Sequence, residues 1–256
     1  MKYIWFLLLL LFVGCEVIKL PTEYEPELNI FAVLYPDRDS QMVFLGHTYK
    51  ATDTLPNSHC DDFIHGFHRC WSGVSGAQVR ISYDSAEVDF EEINDSLLTY
   101  YAAALQVLPG KSYCLEVVYQ DDTIYTTTTV PETFAILNPQ DGDTVNLEDT
   151  LAWEESVGAK SYLLEGAGEG GFTDLGHVNR ISFRELYIRS DDIGWLLEEG
   201  EEELDFCIWA VDTNYYDYYR IGKYNADLEP SMHIDGGLGV FGSITKSDWI
   251  TIVVKP

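Results

Sequence analysis

Leu108-Pro109-Gly110-Lys111-Ser112-Tyr113-Cys114-Leu115-Glu116-Val117-Val118-Tyr119 is the stretch on which the fold turns. A Pro-Gly turn is followed three residues later by a tyrosine that opens an alternating strand. That is the pattern of the tyrosine corner in Greek-key sandwiches, where the phenol hydroxyl bonds back to nearby backbone. The alternative is a plain hairpin with an aromatic strand residue. Gln120-Asp121-Asp122 forms the next turn, and residues 123–130 alternate again, so a hairpin follows the corner.

Working outward, residues 28–34 and 41–49 read as two strands joined by a turn at Pro36-Asp37-Arg38-Asp39-Ser40. Residues 52–76 are polar and turn-forming, hence a loop. Residues 77–83 set Val79 and Ile81 against Gln78, Arg80 and Ser82, as a half-buried strand should, and residues 97–105 read as another strand. Residues 27–131 are therefore expected to form an N-terminal β-sandwich of about seven strands.

The pattern then restarts. Thr150-Leu151-Ala152-Trp153-Glu154, Ala159-Lys160-Ser161-Tyr162-Leu163-Leu164-Glu165 and Asp205-Phe206-Cys207-Ile208-Trp209-Ala210-Val211-Asp212 are strand-like. The last is apolar on both faces, as a central strand requires. Residues 248–254 supply a final strand. In this order they resemble the B, C, F and G strands of a fibronectin type III domain, with Trp153 in the place of the tryptophan that packs between the sheets. A second tyrosine corner is not evident, because Leu197-Glu198-Glu199-Gly200 runs into glutamates. The expected fold class is all-β: two Greek-key, immunoglobulin-like β-sandwich domains (27–131 and 132–256), one short helix at 190–199, and a long insertion at 214–247 before the last strand.

The insertion carries two groups of candidate functional residues. Tyr215, Tyr216, Tyr218 and Tyr219, read as a strand, would put Tyr215 and Tyr219 on one side and Tyr216 and Tyr218 on the other. Such aromatics beside acids can stack on a sugar ring or a peptide side chain, or can instead pack the insertion to the sandwich. Gly236, Gly237, Leu238, Gly239, Val240, Phe241 and Gly242 read as a structural latch, in which glycines permit close backbone approach and the apolar residues plug the insertion down; a ligand-facing loop is the second reading.

At the other end, Lys2 followed by an apolar run to Val13 and by Gly14-Cys15 reads as a lipoprotein signal occupying residues 1–15, too short to span a bilayer. Phe12-Val13-Gly14-Cys15 resembles a lipobox, with Phe12 where leucine is favoured. That resemblance implies acylation of Cys15, a membrane anchor of two or three chains, and a tether over residues 16–26. Removing residues 1–14 takes away one lysine, leaving 14 basic against 43 acidic residues and a net charge of −29. Such a surface repels nucleic acid and anionic head groups, so no nucleic-acid partner is expected.

Of the remaining cysteines, Cys60 and Cys70 share a loop and are the preferred disulfide in an exported chain; Cys114 and Cys207 sit in strands as buried thiols. His47, His59, His65 and His68 crowd the same region, but their spacing fits no zinc motif, and no metal or other cofactor is expected. The Gly166–Gly171 glycines lack a βαβ context, and Ser243-Ile244-Thr245-Lys246 lacks the partners of an S-x-x-K enzyme. Asp141, Asp143 and Glu148 read as turn acids rather than a calcium loop. No catalytic residues can be nominated together, so no enzyme activity is expected.

Residues 210–219 and 233–242, with Ser75-Gly76-Ala77-Gln78-Val79 and the 108–113 turn, resemble a family of uncharacterised Bacteroidota envelope lipoproteins. The resemblance implies an outer-membrane lipoprotein, of a kind often encoded beside a TonB-dependent transporter, which is the candidate partner, with no assigned activity. The small ligand, if any, is unknown. The expected role is a binding or accessory subunit of an uptake complex; the alternative is an adhesion or protein–protein interaction module with no small-molecule ligand.

Overall fold

The computed structural model describes residues 26–48, 73–94, 99–166, 172–189, 202–224 and 233–255, together with the backbone of 63–64 and 67–68. The 1–15 signal with Cys15, nearly all of the 16–26 tether, the Cys60 and Cys70 pair, and the helix expected at 190–199 lie outside the described residues.

The first half of the chain supplies β1 (Leu28–Leu34), β2 (Ser40–His47), a short hairpin of β3 (Phe63–Ile64) and β4 (Phe67–His68), β5 (Gln78–Tyr83), β6 (Ala86–Asn94), β7 (Thr99–Ala104), β8 (Ser112–Tyr119) and β9 (Asp122–Thr129). The second half supplies β10 (Ile136–Asn138), β11 (Thr144–Asn146), β12 (Thr150–Trp153), β13 (Ser161–Gly166), β14 (Phe172–Gly176), β15 (Arg180–Ser182), helix α1 (Phe183–Arg189), β16 (Glu202–Val211), helix α2 (Thr213–Tyr224), β17 (Leu238–Lys246) and β18 (Ile250–Lys255). The molecule is mostly β, but it carries two helices among the described residues rather than one.

In the first sandwich the strands run β1-β2-β7-β6-β5-β8-β9, with every neighbouring pair antiparallel. Alternation explains the burial: Tyr113, Leu115 and Val117 of β8 point inward while Ser112 and Glu116 do not. Their core includes Ile30, Leu45, Ile81, Tyr101, Leu115 and Ile124. It also takes in two side chains from the far end of the chain, Ile234 and Phe241.

In the second sandwich a three-stranded sheet β10-β12-β15 faces the strands β14-β13-β16-β18-β11. Trp153 lies between them, 1% exposed, edge-on to Tyr162 with ring centroids 5.4 Å apart. Phe206, Ile208 and Ala210 of β16 fill the same core.

Strand β17 belongs to both sandwiches. Its first six residues run parallel to β1, pairing Ile30 with Gly239 and Val33 with Gly242. Its last three pair antiparallel with β16, Val211 with Ile244 and Trp209 with Lys246. Both β1 and β16 are consequently paired on both edges. Phe31 and Val33 of β1, with Tyr35 just past its end, join Cys207, Trp209 and Val211 of β16 in a third apolar cluster along the seam. The residues between the sandwiches are gripped from all sides. Gly110 N–H donates to Val130 O (2.9 Å), Glu132 N–H to Val157 O (2.9 Å), and Thr245 Oγ1 to Pro131 O (2.6 Å).

Candidate functional site

The segment after β16 is where the candidate residues fall, and its local structure differs from the expected strand. Tyr215, Tyr216, Tyr218 and Tyr219 are on helix α2. The physical reason is Asp212. Its Oδ1 accepts the N–H of Tyr215 at 2.8 Å, three residues on, the N-cap arrangement that satisfies an otherwise orphaned helix donor. An Asp-Thr-Asn start before an aromatic run is a helix signal that alternation counting overlooks.

The helix turns its tyrosines onto the seam. Tyr215 is 3% and Tyr216 8% exposed, so these two are packing residues with no face open to a ligand. Burial pushes the Tyr215 phenol well above its usual range and raises that of Tyr216. Tyr218 and Tyr219 are half-buried against the same cluster. Tyr218 lies 6.2 Å from Phe31, Phe31 6.3 Å from Phe44, and Phe44 5.8 Å from Tyr100, centroid to centroid. The four rings make a ladder across α2, β1, β2 and β7, in which Tyr218, Phe44 and Tyr100 stay half-buried.

The glycines sit where backbone meets backbone. Gly239 has φ +107, and a Cβ there would lie 1.9 Å from Ile30 O; Gly236 has φ +85, and its Cβ would lie 2.6 Å from Thr123 O. A Cβ on Gly237 would strike Ile124, and one on Gly242 would strike Tyr215. Leu238 is half-buried at the start of β17, and Phe241 is fully buried in the first core. The segment is thus largely a sheet strand, and not the loop that its glycine content suggests.

The same segment covers the open edge of β9. Tyr125 pairs with Asp235, Thr126 Oγ1 donates to His233 O (2.7 Å), and Asn214 Nδ2 donates to Thr127 O (2.7 Å) and Phe241 O (2.8 Å). An uncovered edge is a template for unwanted strand pairing, and here side chains and backbone of the same chain occupy it. Next along, Thr128 Oγ1 donates to Asp212 Oδ2 and lies 2.9 Å from Ser243 Oγ, whose hydroxyl also reaches Thr129 O at 3.2 Å. Asp212, Thr128 and Ser243 are all buried. Sequence reading passed over the first two and weighed Ser243 only as a chance S-x-x-K serine, which its complete burial explains away.

A second polar group lies on the other side of the seam. Glu165 Oε2 accepts Trp209 Nε1–H (2.8 Å), faces Lys246 Nζ at 3.4 Å, and accepts the Cys207 thiol at 3.4 Å. Lys246 Nζ rests 4.2 Å from the Trp209 ring centroid. Desolvation, with Glu165 adding to it, pushes the Cys207 thiol up to about 12, which makes it unreactive as a nucleophile. Cys114 and Cys207 are both free thiols.

The turn acids have ordinary duties. Asp141 accepts Thr251 N–H and Asp143 accepts Gln140 N–H, each at 2.8 Å, while Glu148 pairs with Arg184. Among the described residues no three His, Cys, Asp or Glu side chains gather as metal ligands. A shallow cavity of about 20 Å³ opens beside Phe31, Tyr35, Arg38, Met42 and Phe44, room for about one water. No described helix is long and apolar enough to cross a membrane.

No protein-family model matches the chain, and no curated protein matches it. Among solved structures it shows distant similarity to the FN1 to FN3 domains of chicken CNTN1, with 11% identity over 87% of this chain and 66% of that one and a TM-score of 0.21. A three-domain segment of titin gives 12% identity over 89% of this chain and 67% of that one, with a TM-score of 0.22. The chain spans about two thirds of the length of these structures.

Proposed function

We propose that this chain is a lipid-anchored envelope protein without catalytic activity. It holds a protein-binding surface beside the outer membrane as an accessory subunit of a TonB-dependent uptake system. The observation that carries the binding role is the ladder of Tyr218, Phe31, Phe44 and Tyr100, three of whose rings are half-buried on a face built from both ends of the chain. Half-buried aromatics offer large contact area at small conformational-entropy cost, the property that makes tyrosine and phenylalanine frequent at interfaces. The anchor and the uptake partner rest on the lipobox-like ending at Cys15 and on the family resemblance of residues 210–219 and 233–242.

The test uses the full, lipidated chain. Pull-down from solubilised membranes should recover a transporter, and Phe44→Ala with Tyr100→Ala should weaken that recovery about tenfold or more, the loss of a small hot spot. Cys15→Ser should move the protein out of the membrane fraction. Alanine at Tyr215 or Tyr216 would report on folding instead, since both are buried. Recovery of no transporter, with the aromatic variants still losing attachment to cells or to another protein, would favour the adhesion or interaction module.

A further inference from the structure

We propose that Asp212 makes the seam between the two sandwiches a pH-responsive latch, which tightens on mild acidification. The carboxylate lies where three separated segments meet. Oδ2 takes the Thr128 hydroxyl from β9, Oδ1 takes the Tyr215 amide from α2, and the backbone N–H of Asp212 itself donates to Ser243 O of β17 at 3.1 Å. The side chain is 4% exposed, and among the described residues no cation pairs with it.

The hydroxyls form a chain that can run in either direction. With Asp212 ionised, Thr128 donates to it. With Asp212 protonated on Oδ2, the carboxyl donates to Thr128 Oγ1, Thr128 turns to Ser243 Oγ at 2.9 Å, and Ser243 ends the chain on Thr129 O at 3.2 Å. Each state therefore keeps its hydrogen bonds, while only the ionised state bears the cost of a buried charge. That is why desolvation outweighs the Thr128 and Tyr215 donors and pushes the carboxyl up to about 6.

The titratable group whose charge reaches Asp212 is His233, from the segment before β17, which favours the carboxylate. His233 Nε2 is held 2.9 Å from Asp217 Oδ2 on α2. The elements β9 and β17 face Asp212 with uncharged Thr128 and Ser243, and α2 faces it with the Tyr215 amide. A carboxyl raised in the folded state binds its proton more tightly folded than unfolded, so acid stabilises the fold through it. The gain is absent above about pH 7 and grows as the pH falls through about 6 toward the unfolded value of 3.8.

The experiment compares wild type with Asp212→Asn, whose amide mimics the protonated acid, by denaturant unfolding at pH 7.5 and pH 5.0. The ratio of the two unfolding constants should change roughly tenfold between these pH values, in the direction of wild type gaining at pH 5.0. His233→Gln should leave most of that pH dependence in place. An unchanged ratio, or a dependence that vanishes with His233→Gln and persists in Asp212→Asn, overturns the proposal. Should Asp212→Asn fail to fold, carboxyl-carbon NMR titration of wild type decides. One aspartate must titrate near pH 6 together with the Tyr215 amide, and its absence overturns the latch.

Discussion

Gly110-Lys111-Ser112-Tyr113 and Gly158-Ala159-Lys160-Ser161-Tyr162 are two versions of one corner, one in each sandwich. Tyr113 OH accepts Leu108 N–H and Tyr162 OH accepts Ser156 N–H, both at 2.7 Å, and each turn passes through a glycine at positive φ, +75 and +89. Their surroundings differ. Leu108 is 40% exposed and its amide part-buried, while Ser156 is 2% exposed and its amide buried. Ser156 also sends its hydroxyl to Glu132 O, so the second corner holds the connection between the sandwiches by side chain as well as by backbone. The same local motif thus serves as a turn lock in one sandwich and as a clamp in the other.

Removing each hydroxyl separates these roles, and the largest effect falls on the second corner. Tyr162→Phe leaves the Ser156 amide buried without an acceptor and should cost about 2–3 kcal/mol in denaturant unfolding. Tyr113→Phe leaves an amide that water can reach, and should cost about 1 kcal/mol. Equal losses would mean that burial of the donor does not set the strength of the corner.

The first corner is legible because Pro109-Gly110 announces the turn ahead of an alternating strand. The second hides because Val157-Gly158 has no proline, and because a corner is looked for near strand F rather than before strand C. Trp153 and the two-faced β16 were readable from local pattern as well. Helix α2 was misread, since Tyr-Tyr-Asp-Tyr-Tyr satisfies alternation and a helical face equally, and only the cap at Asp212 decides between them. The pairing of β1 with β17 joins residues about two hundred positions apart in parallel, and no local pattern encodes such a partner. With that pairing unseen, the meeting of Thr128, Asp212 and Ser243 was out of reach too.

The two glycines should behave more alike than the two tyrosines. An alanine at either must adopt a left-handed backbone, at about 1–2 kcal/mol. A Cβ on Gly158 would meet Pro131 Cα at 3.6 Å, an ordinary contact. One on Gly110 would meet the exposed Glu132 side chain at 3.3 Å, which can swing away. Gly110→Ala and Gly158→Ala should therefore lower the unfolding free energy by amounts within about 0.5 kcal/mol of each other. A much larger loss at Gly158 would show the connection to be tighter than these distances imply.

The smallest effect tests whether the corners act together. Gly110 N–H holds Val130 O and Val157 O holds Glu132 N–H, so only Pro131 separates the two grips, and Thr245 fixes Pro131 itself. Distant, independent sites add within about 0.3–0.5 kcal/mol. Here the double variant Tyr113→Phe/Tyr162→Phe should cost less than the sum of the single losses by about 0.5–1 kcal/mol, because the first loosening of the connection already spends part of what the second would remove. Repeating the cycle with Thr245→Val should shrink that coupling, since Pro131 would then move freely under either corner. Strict additivity in both backgrounds would mean that the two sandwiches sense only their own corners. The sandwiches would then be coupled through β17, α2 and the seam cluster rather than through the connection at Pro131.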